Sequence, residues 1–278
     1  MMEAIAGAIE ELGRLAGLPG DAVIINGLRH CRTCGEPLQK RITWAGRDMV
    51  VGCVCDCIMK EREEEQKREE ERERQRRVDR VRNLSMMPGK YSKATFGAYE
   101  GRAENAKAYA TARKYAENFR EMEKMNQGLL FYGPVGTGKS FTSACIANYL
   151  MEMEVPVIMT SVVRILDAEP SEQAEIRTAI RNARLLIIDD LGAERETDYA
   201  LERVYGVIDD RVRANAPLIV TTNIGVKEMV TCTDIRKKRI YDRILEVCFP
   251  VEVTGKSVRL GKAAERQAQM KRYFGGGD

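Results

Sequence analysis

Residues 133–140 read GPVGTGKS, a complete G-x-x-x-x-G-K-S pattern set between the apolar run LLFY at 129–132 and a helix-compatible stretch at 141–153. Strand, glycine-rich loop and helix in that order are what a phosphate loop requires. Gly133, Gly136 and Gly138 allow backbone angles and close approach that a side chain would block, so successive N–H groups can turn inward on phosphate oxygens. The helix N-terminus adds a field that favours anions. Gly133, Pro134, Val135, Gly136, Thr137, Gly138, Lys139, Ser140 and Phe141 therefore form the expected nucleotide cradle. Lys139 is placed to reach the β and γ phosphates, and the Ser140 hydroxyl to ligate Mg²⁺.

Around this loop, residues 91–260 alternate apolar runs with helical patterns. Candidate strands lie at 129–132, 155–159, 185–189, 218–221 and 249–253, an alternation that predicts a five-stranded parallel α/β sheet. The run LLII at 185–188 ends in Asp189 and Asp190, a buried strand delivering two acids as a Walker B motif does. Successive side chains leave a strand in different directions. Asp189 is accordingly assigned to the Mg²⁺ shell and Asp190 to polarising the attacking water, with an N-cap of the next helix as the alternative for Asp190. Glu194 is a weaker candidate behind them. Asn223, ending the TTN at 221–223, is positioned to hold the water or the γ-phosphate at the ligand-binding end of the sheet. Beyond it, a basic helical stretch at 234–246 carries Arg243, and the closing GKSVR at 255–259 carries Arg259. Either guanidinium could grip γ-phosphate oxygens, although spacing alone favours a surface ion pair for each.

Ahead of this region the composition changes. Five of the eight cysteines fall at Cys31, Cys34, Cys53, Cys55 and Cys57, two knuckles around a hairpin expected at 39–44 and 48–51. That crowding suits one tetrahedral structural Zn²⁺ held by four of the five. Cys31, Cys34 and Cys53 are preferred, then Cys55 over Cys57, because Cys57 borders the next helix. His30, the one histidine, is an alternative ligand but is more simply a neighbour. Residues 60–82 are a charge run with acids first and arginines last, matching a helix dipole, with Glu63 and Lys67, Glu64 and Arg68, Glu70 and Arg74, and Glu73 and Arg77 at i, i+4. No apolar heptad accompanies it, so a solvated helical linker is expected rather than a coiled coil. An amphipathic helix is expected at 4–16 and a basic helix with a GGG end after 260. The boundaries that follow are 1–57, 58–88, 89–260 and 261–278. The net charge of +3 is too small to argue nucleic-acid binding by itself, and no apolar run approaches membrane-spanning length. The N-terminus lacks a signal-peptide pattern, so a cytoplasmic protein is expected.

GLLFYGPVGTGKS, LLIIDDLGAE, TTN, the YDRI box and the final GKSVR, in that order over 91–260, resemble the helicase loaders of the DnaC type, AAA+ ATPases of the initiator branch that also includes transposition helper ATPases. The resemblance implies an AAA+ P-loop core without a large lid, hydrolysing ATP and assembling so that one protomer completes its neighbour's site. It makes Asn223 sensor 1, Arg243 the arginine finger acting in trans, and Arg259 sensor 2. It further implies loading of a DnaB-type hexameric replicative helicase onto single-stranded DNA in replication, with the N-terminal module holding the helicase. Arg164, Arg177 and Arg181, in the segment 160–183, are then the cations available to DNA phosphates. The alternatives are a transposition helper on duplex DNA and a nucleotide-gated adaptor with little turnover. Asp190 stands where AAA+ proteins usually carry glutamate, and the shorter carboxylate implies weak turnover.

Overall fold

The computed structural model describes residues 22–98, 105–193 and 197–274. The helix expected at 4–16, Glu194 and the GGG end lie outside the described residues. The chain divides into two units, one ending at Gln75 and one beginning at Arg76.

The first unit opens with two antiparallel hairpins. β1 (Ala22–Ile25) pairs with β2 (Leu28–Cys31), and β3 (Gln39–Trp44) pairs with β4 (Arg47–Gly52). The second was expected; the first was not, although its Asn26-Gly27 turn, with both residues at positive φ, is a strong hairpin signal. Helix α1 (Asp56–Leu84) follows, its N-terminus served by Glu36 Oε2, which accepts from Asp56 N–H at 3.1 Å. Among the described residues the buried apolar cluster of this unit is Cys31, Leu38, Cys55 and Ile58.

The division at 75 falls inside α1, not at 57 or 88, and packing explains it. The first half of the helix is solvated, with exposed Arg68–Glu64 and Arg74–Glu71 pairs of little energetic weight. In the second half Val78 is buried, Arg77 forks onto Glu154 at 2.7 and 3.2 Å, and Arg82 reaches Glu152 at 3.0 Å.

The second unit continues with α2 (Ala106–Glu117), α3 (Phe119–Lys124), β5 (Gly128–Tyr132), α4 (Lys139–Glu152), β6 (Val157–Ser161), α5 (Val162–Asp167), α6 (Pro170–Asn182) and β7 (Leu185–Leu191). It closes with α7 (Asp198–Arg213), β8 (Leu218–Thr222), α8 (Val226–Thr231), α9 (Ile235–Val247), β9 (Cys248–Glu252) and α10 (Val258–Phe274). The five strands β5 to β9 form one parallel sheet in the order β6-β7-β8-β5-β9. This is the expected α/β architecture.

Side-chain alternation splits its core in two. Leu129, Phe131, Ile187 and Ile219 face the cluster that includes Ala144, Ile146 and Leu150 of α4, while Leu130, Leu186, Ile188, Leu218 and Val220 face Val204 and Ile208 of α7 and Ile240 and Ile244 of α9. Such strands, buried on both faces, read as continuous apolar runs, which is why the sequence located them. Arg211, 3 % exposed, ties the C-terminal end of α6 to the start of β8 by donating to the carbonyls of Ile180, Ala183, Arg184 and Pro217 at 3.2, 2.8, 3.3 and 2.9 Å. Burial pushes its pKa down to about 10, still charged at neutral pH. At one sheet edge, Met159 N–H of β6 donates to Ser85 O at 2.8 Å. At the other, β9 carries Pro250.

Candidate functional site

The loop leaves β5 at Gly133 and enters α4 at Lys139. Gly133 and Gly136 have φ of 135° and 81°. A Cβ on Gly133 would lie 2.3 Å from Val253 O, and one on Gly136 2.2 Å from Ser257 Oγ. Both glycines are therefore set by the segment behind the loop as well as by its curvature. Val253 N–H donates to Tyr132 O at 2.8 Å, and Val258 N–H to Gly136 O at 2.9 Å. The GKSVR segment is thus strapped to the loop. Asn105, 4 % exposed, supports the loop as well, its Nδ2 donating to Thr137 O at 3.1 Å.

Lys139 is 6 % exposed, and its Nζ donates to Gly133 O at 2.8 Å, Pro134 O at 2.7 Å and Asn223 Oδ1 at 2.7 Å. Asn223 Nδ2 in turn donates to Asp190 Oδ1 at 3.2 Å. Residues far apart in the chain thus meet in one hydrogen-bonded row at the C-terminal ends of β5, β7 and β8, where open α/β sheets bind ligands. Burial lowers the Lys139 pKa, Asp190 and Asp189 raise it in opposition, and the Arg259 charge lowers it again. Arg259, exposed at the first turn of α10, is therefore within electrostatic reach of the loop lysine.

The two acids sit on a bulge. The register of β7 against β8 shifts between Ile188 and Leu191, and Asp190 has φ 60°. A left-handed conformation costs a non-glycine residue roughly 1–2 kcal/mol, so something must hold it. Thr221, 1 % exposed, does so: its Oγ1 accepts from Asp190 N–H at 2.8 Å and donates to Asp189 Oδ1 at 2.7 Å. Among the described residues Asp190 caps no helix; α7 is capped by Thr197, whose side chain accepts from Ala200 N–H at 3.2 Å. Thr221 was invisible as a site residue in sequence because its role is purely a cross-strand contact.

Arg243, on α9, does not join this row. Its Nε meets Asp209 Oδ1 of α7 at 2.9 Å and its Nη1 donates to Glu246 Oε2 at 2.9 Å. Asp209, 6 % exposed, also pairs with Arg213 at 2.8 Å. Of the cations in 160–183, Arg164 donates to Met86 O at 3.1 Å, while Arg177 and Arg181 line a cavity of about 570 Å³ with Ile176 and Ile180 of α6 and Arg203 of α7.

In the first unit, the Sγ atoms of Cys31, Cys34, Cys55 and Cys57 lie within 4.8 Å of one another. Tetrahedral zinc with sulfur at 2.3 Å needs sulfurs about 3.8 Å apart. The expected preference for Cys53 over Cys57 is thereby corrected. Cys53 follows β4, pairs through its N–H with Leu38 O at 2.9 Å and points its thiol at Pro37 O at 2.9 Å. Because α1 starts at Asp56, its first turn carries Cys57 back toward Cys31 and Cys34; bordering the helix is what brings it in. The donor set suits a thiophilic cation. N–H groups of Cys34 and Thr33 pull the Cys31 thiol down to about 7. Cys34 is held down by the Glu36 N–H, yet burial and the neighbouring thiols lift it to about 12. A second thiolate here needs a positive charge beside it. His30 lies beside the cluster, its Nδ1 3.1 Å from Gly35 O.

A parallel sheet in this order, with a phosphate-loop lysine, two acids and a polar residue converging at one end, defines an AAA+ P-loop domain. The chain belongs to the family of IstB-like ATP binding proteins, which it matches over residues 59–266. It is 26 % identical over 176 residues to the replicative helicase loader DnaC of Escherichia coli K12, an overlap of 60 % of this chain and 69 % of that protein. It is 28 % identical over 160 residues to the replicative helicase loader DnaI of Bacillus subtilis, 52 % of this chain and 51 % of that protein. The crystal structure of DnaI superposes with a TM-score of 0.51 at 24 % identity, covering 62 % of this chain and 93 % of that one, which is a likeness of fold. Among the described residues no helix is long and apolar enough to cross a membrane.

Proposed function

We propose that this protein is a cytoplasmic ATP-dependent loader that delivers a DnaB-type hexameric replicative helicase onto single-stranded DNA. The observation that carries the reading is the row Lys139–Asn223–Asp190, which links phosphate sensor, strand-end amide and acid in one hydrogen-bonded unit. ATP hydrolysis needs charge neutralisation, a held water and an acid near it, and this row supplies residues for each. Gly133 to Phe141 would cradle the nucleotide, and Ser140 and Asp189 would hold Mg²⁺, which neutralises charge on the phosphates. Lys139 must exchange its carbonyl partners for phosphate oxygens, releasing Asn223 toward Asp190. Arg259 acts on the same protomer's phosphates. Arg243, parked on Asp209 and Glu246, completes a neighbouring protomer's site on self-assembly. Cys31, Cys34, Cys55 and Cys57 would hold Zn²⁺, which fixes a module too small to fold on its apolar core, and that module holds the helicase. DNA reaches the cations of α6.

The test is co-elution of the purified chain with a DnaB-type helicase, with and without ATP, followed by loading on a single-stranded circle. Stimulated loading that Lys139→Ala abolishes supports the reading. A chain that ignores the helicase yet binds a transposase overturns it. Mixing Arg243→Ala with Lys139→Ala protomers should restore some turnover if the arginine acts across an interface; no recovery removes the trans role.

A further inference from the structure

The β3–β4 hairpin is a two-stranded ribbon with both faces largely exposed, and its faces differ in chemistry. The register pairs Lys40 with Val51, Ile42 with Met49 and Trp44 with Arg47, which places these six residues on one face. Trp44 is 59 % exposed and Ile42 40 %. The hairpin's one acid, Asp48, belongs to the opposite face, where Thr43 Oγ1 donates to it at 2.6 Å. One face therefore offers an aromatic ring and an aliphatic step with a cation at each end and no carboxylate.

We infer that this face of the ribbon, Lys40, Ile42, Trp44 and Arg47, is a stacking platform for single-stranded nucleic acid. A base has an apolar π-face and every nucleotide a phosphate, so an exposed tryptophan flanked by cations recognises a single strand without reading its sequence. The alternate positions 40, 42 and 44 are about 6.6 Å apart along the strand, a spacing that lets one ring stack while the lysine engages a phosphate further along. A protein partner fits less well. The apolar patch is small, is bracketed by charges, and carries at one end a lysine, a residue depleted from interface cores.

The inference rests on the single-strand reading of the function above and adds a contact outside the ATPase domain. The experiment uses the full zinc-loaded chain. Trp44 is the only tryptophan of 278 residues, so its fluorescence reports this face alone. Titration with oligo-dT should quench it, and anisotropy of a labelled oligo-dT should show roughly tenfold weaker binding for Trp44→Ala, with Trp44→Phe close to the parent. Lys40→Gln with Arg47→Gln should flatten the slope of log K against log salt by about 1.4, the value for two lost single-strand phosphates. Zinc content and circular dichroism of each variant check that the module is intact. Labelled oligo that binds while Trp44 stays unquenched and the variants match the parent overturns the platform and leaves DNA binding to the ATPase domain. Oligo that does not bind at all overturns the single-strand reading and the platform with it. A Trp44 blue shift on adding helicase, with no response to oligo, makes the face a protein contact and overturns the inference.

Discussion

Between residues 22 and 75 the buried apolar cluster is Cys31, Leu38, Cys55 and Ile58, whereas the unit from Arg76 onward buries apolar side chains on both faces of a five-stranded sheet. The small unit has four sulfurs where the large one has a core. The described part of this module buries too little surface to offset its conformational entropy by itself, and its four converging thiols are where a structural metal would supply the difference. The contrast extends to how tolerant each unit is: loss of one ligand removes the whole term in the first, while loss of one core side chain removes a fraction in the second.

Four perturbations would break or sharpen that contrast. The largest effect is expected from the metal, since structural zinc contributes on the order of 10–16 kcal/mol of apparent binding energy. Metal analysis should find one zinc per chain, lost in Cys57→Ser and retained in Cys53→Ser; the reverse pattern would reinstate Cys53 as the ligand. Arg211→Met comes next. It takes this donor from four backbone carbonyls, of which Pro217 O keeps Leu186 N–H at 3.3 Å, and the second unit should lose about 3–5 kcal/mol in urea unfolding while the zinc content stays at the parent value. Thr221→Val should then cost about 1–3 kcal/mol by freeing the bulge, with ATP turnover falling and the Mg²⁺ requirement rising. Thr221→Ser should recover most of both; because valine keeps the threonine methyl, an unrescued serine variant would mean the site needs the methyl group as well as the hydroxyl. Smallest is Arg82→Ala, whose pair with Glu152 is 38 and 58 % exposed, and a change above about 1 kcal/mol would contradict its assignment as a surface contact.

What was legible in the sequence follows the same division. Four of the five parallel strands announced themselves because they are buried on both faces, the edge strand β9 with exposed Phe249, Pro250 and Glu252 being the exception, and the phosphate loop because its glycines and lysine lie close together in sequence. The β1–β2 hairpin carries its signal in Asn26-Gly27 alone, since strands of four residues are too short to show an alternation. Which four cysteines converge was not legible, since C-x-C-x-C leaves the choice to the residue at which α1 begins. Thr221, Asn105 and Asp209 matter only through partners on other elements, at sequence separations of 31 and 32 for Thr221, 32 for Asn105 and 34 for Asp209 with Arg243, and no local pattern marks such residues. The acids of 189–190 were found, but the left-handed backbone that splays them was not.

The two edges of the sheet carry a last consequence. Ser85 already occupies the outward N–H of Met159 on β6, and Pro250 gives β9 no amide to offer at its position. An uncapped edge would invite strand-by-strand accretion, growth without a stopping rule. At these two positions neither edge offers a backbone donor to an incoming strand, so a contact made there must come from side chains rather than from backbone.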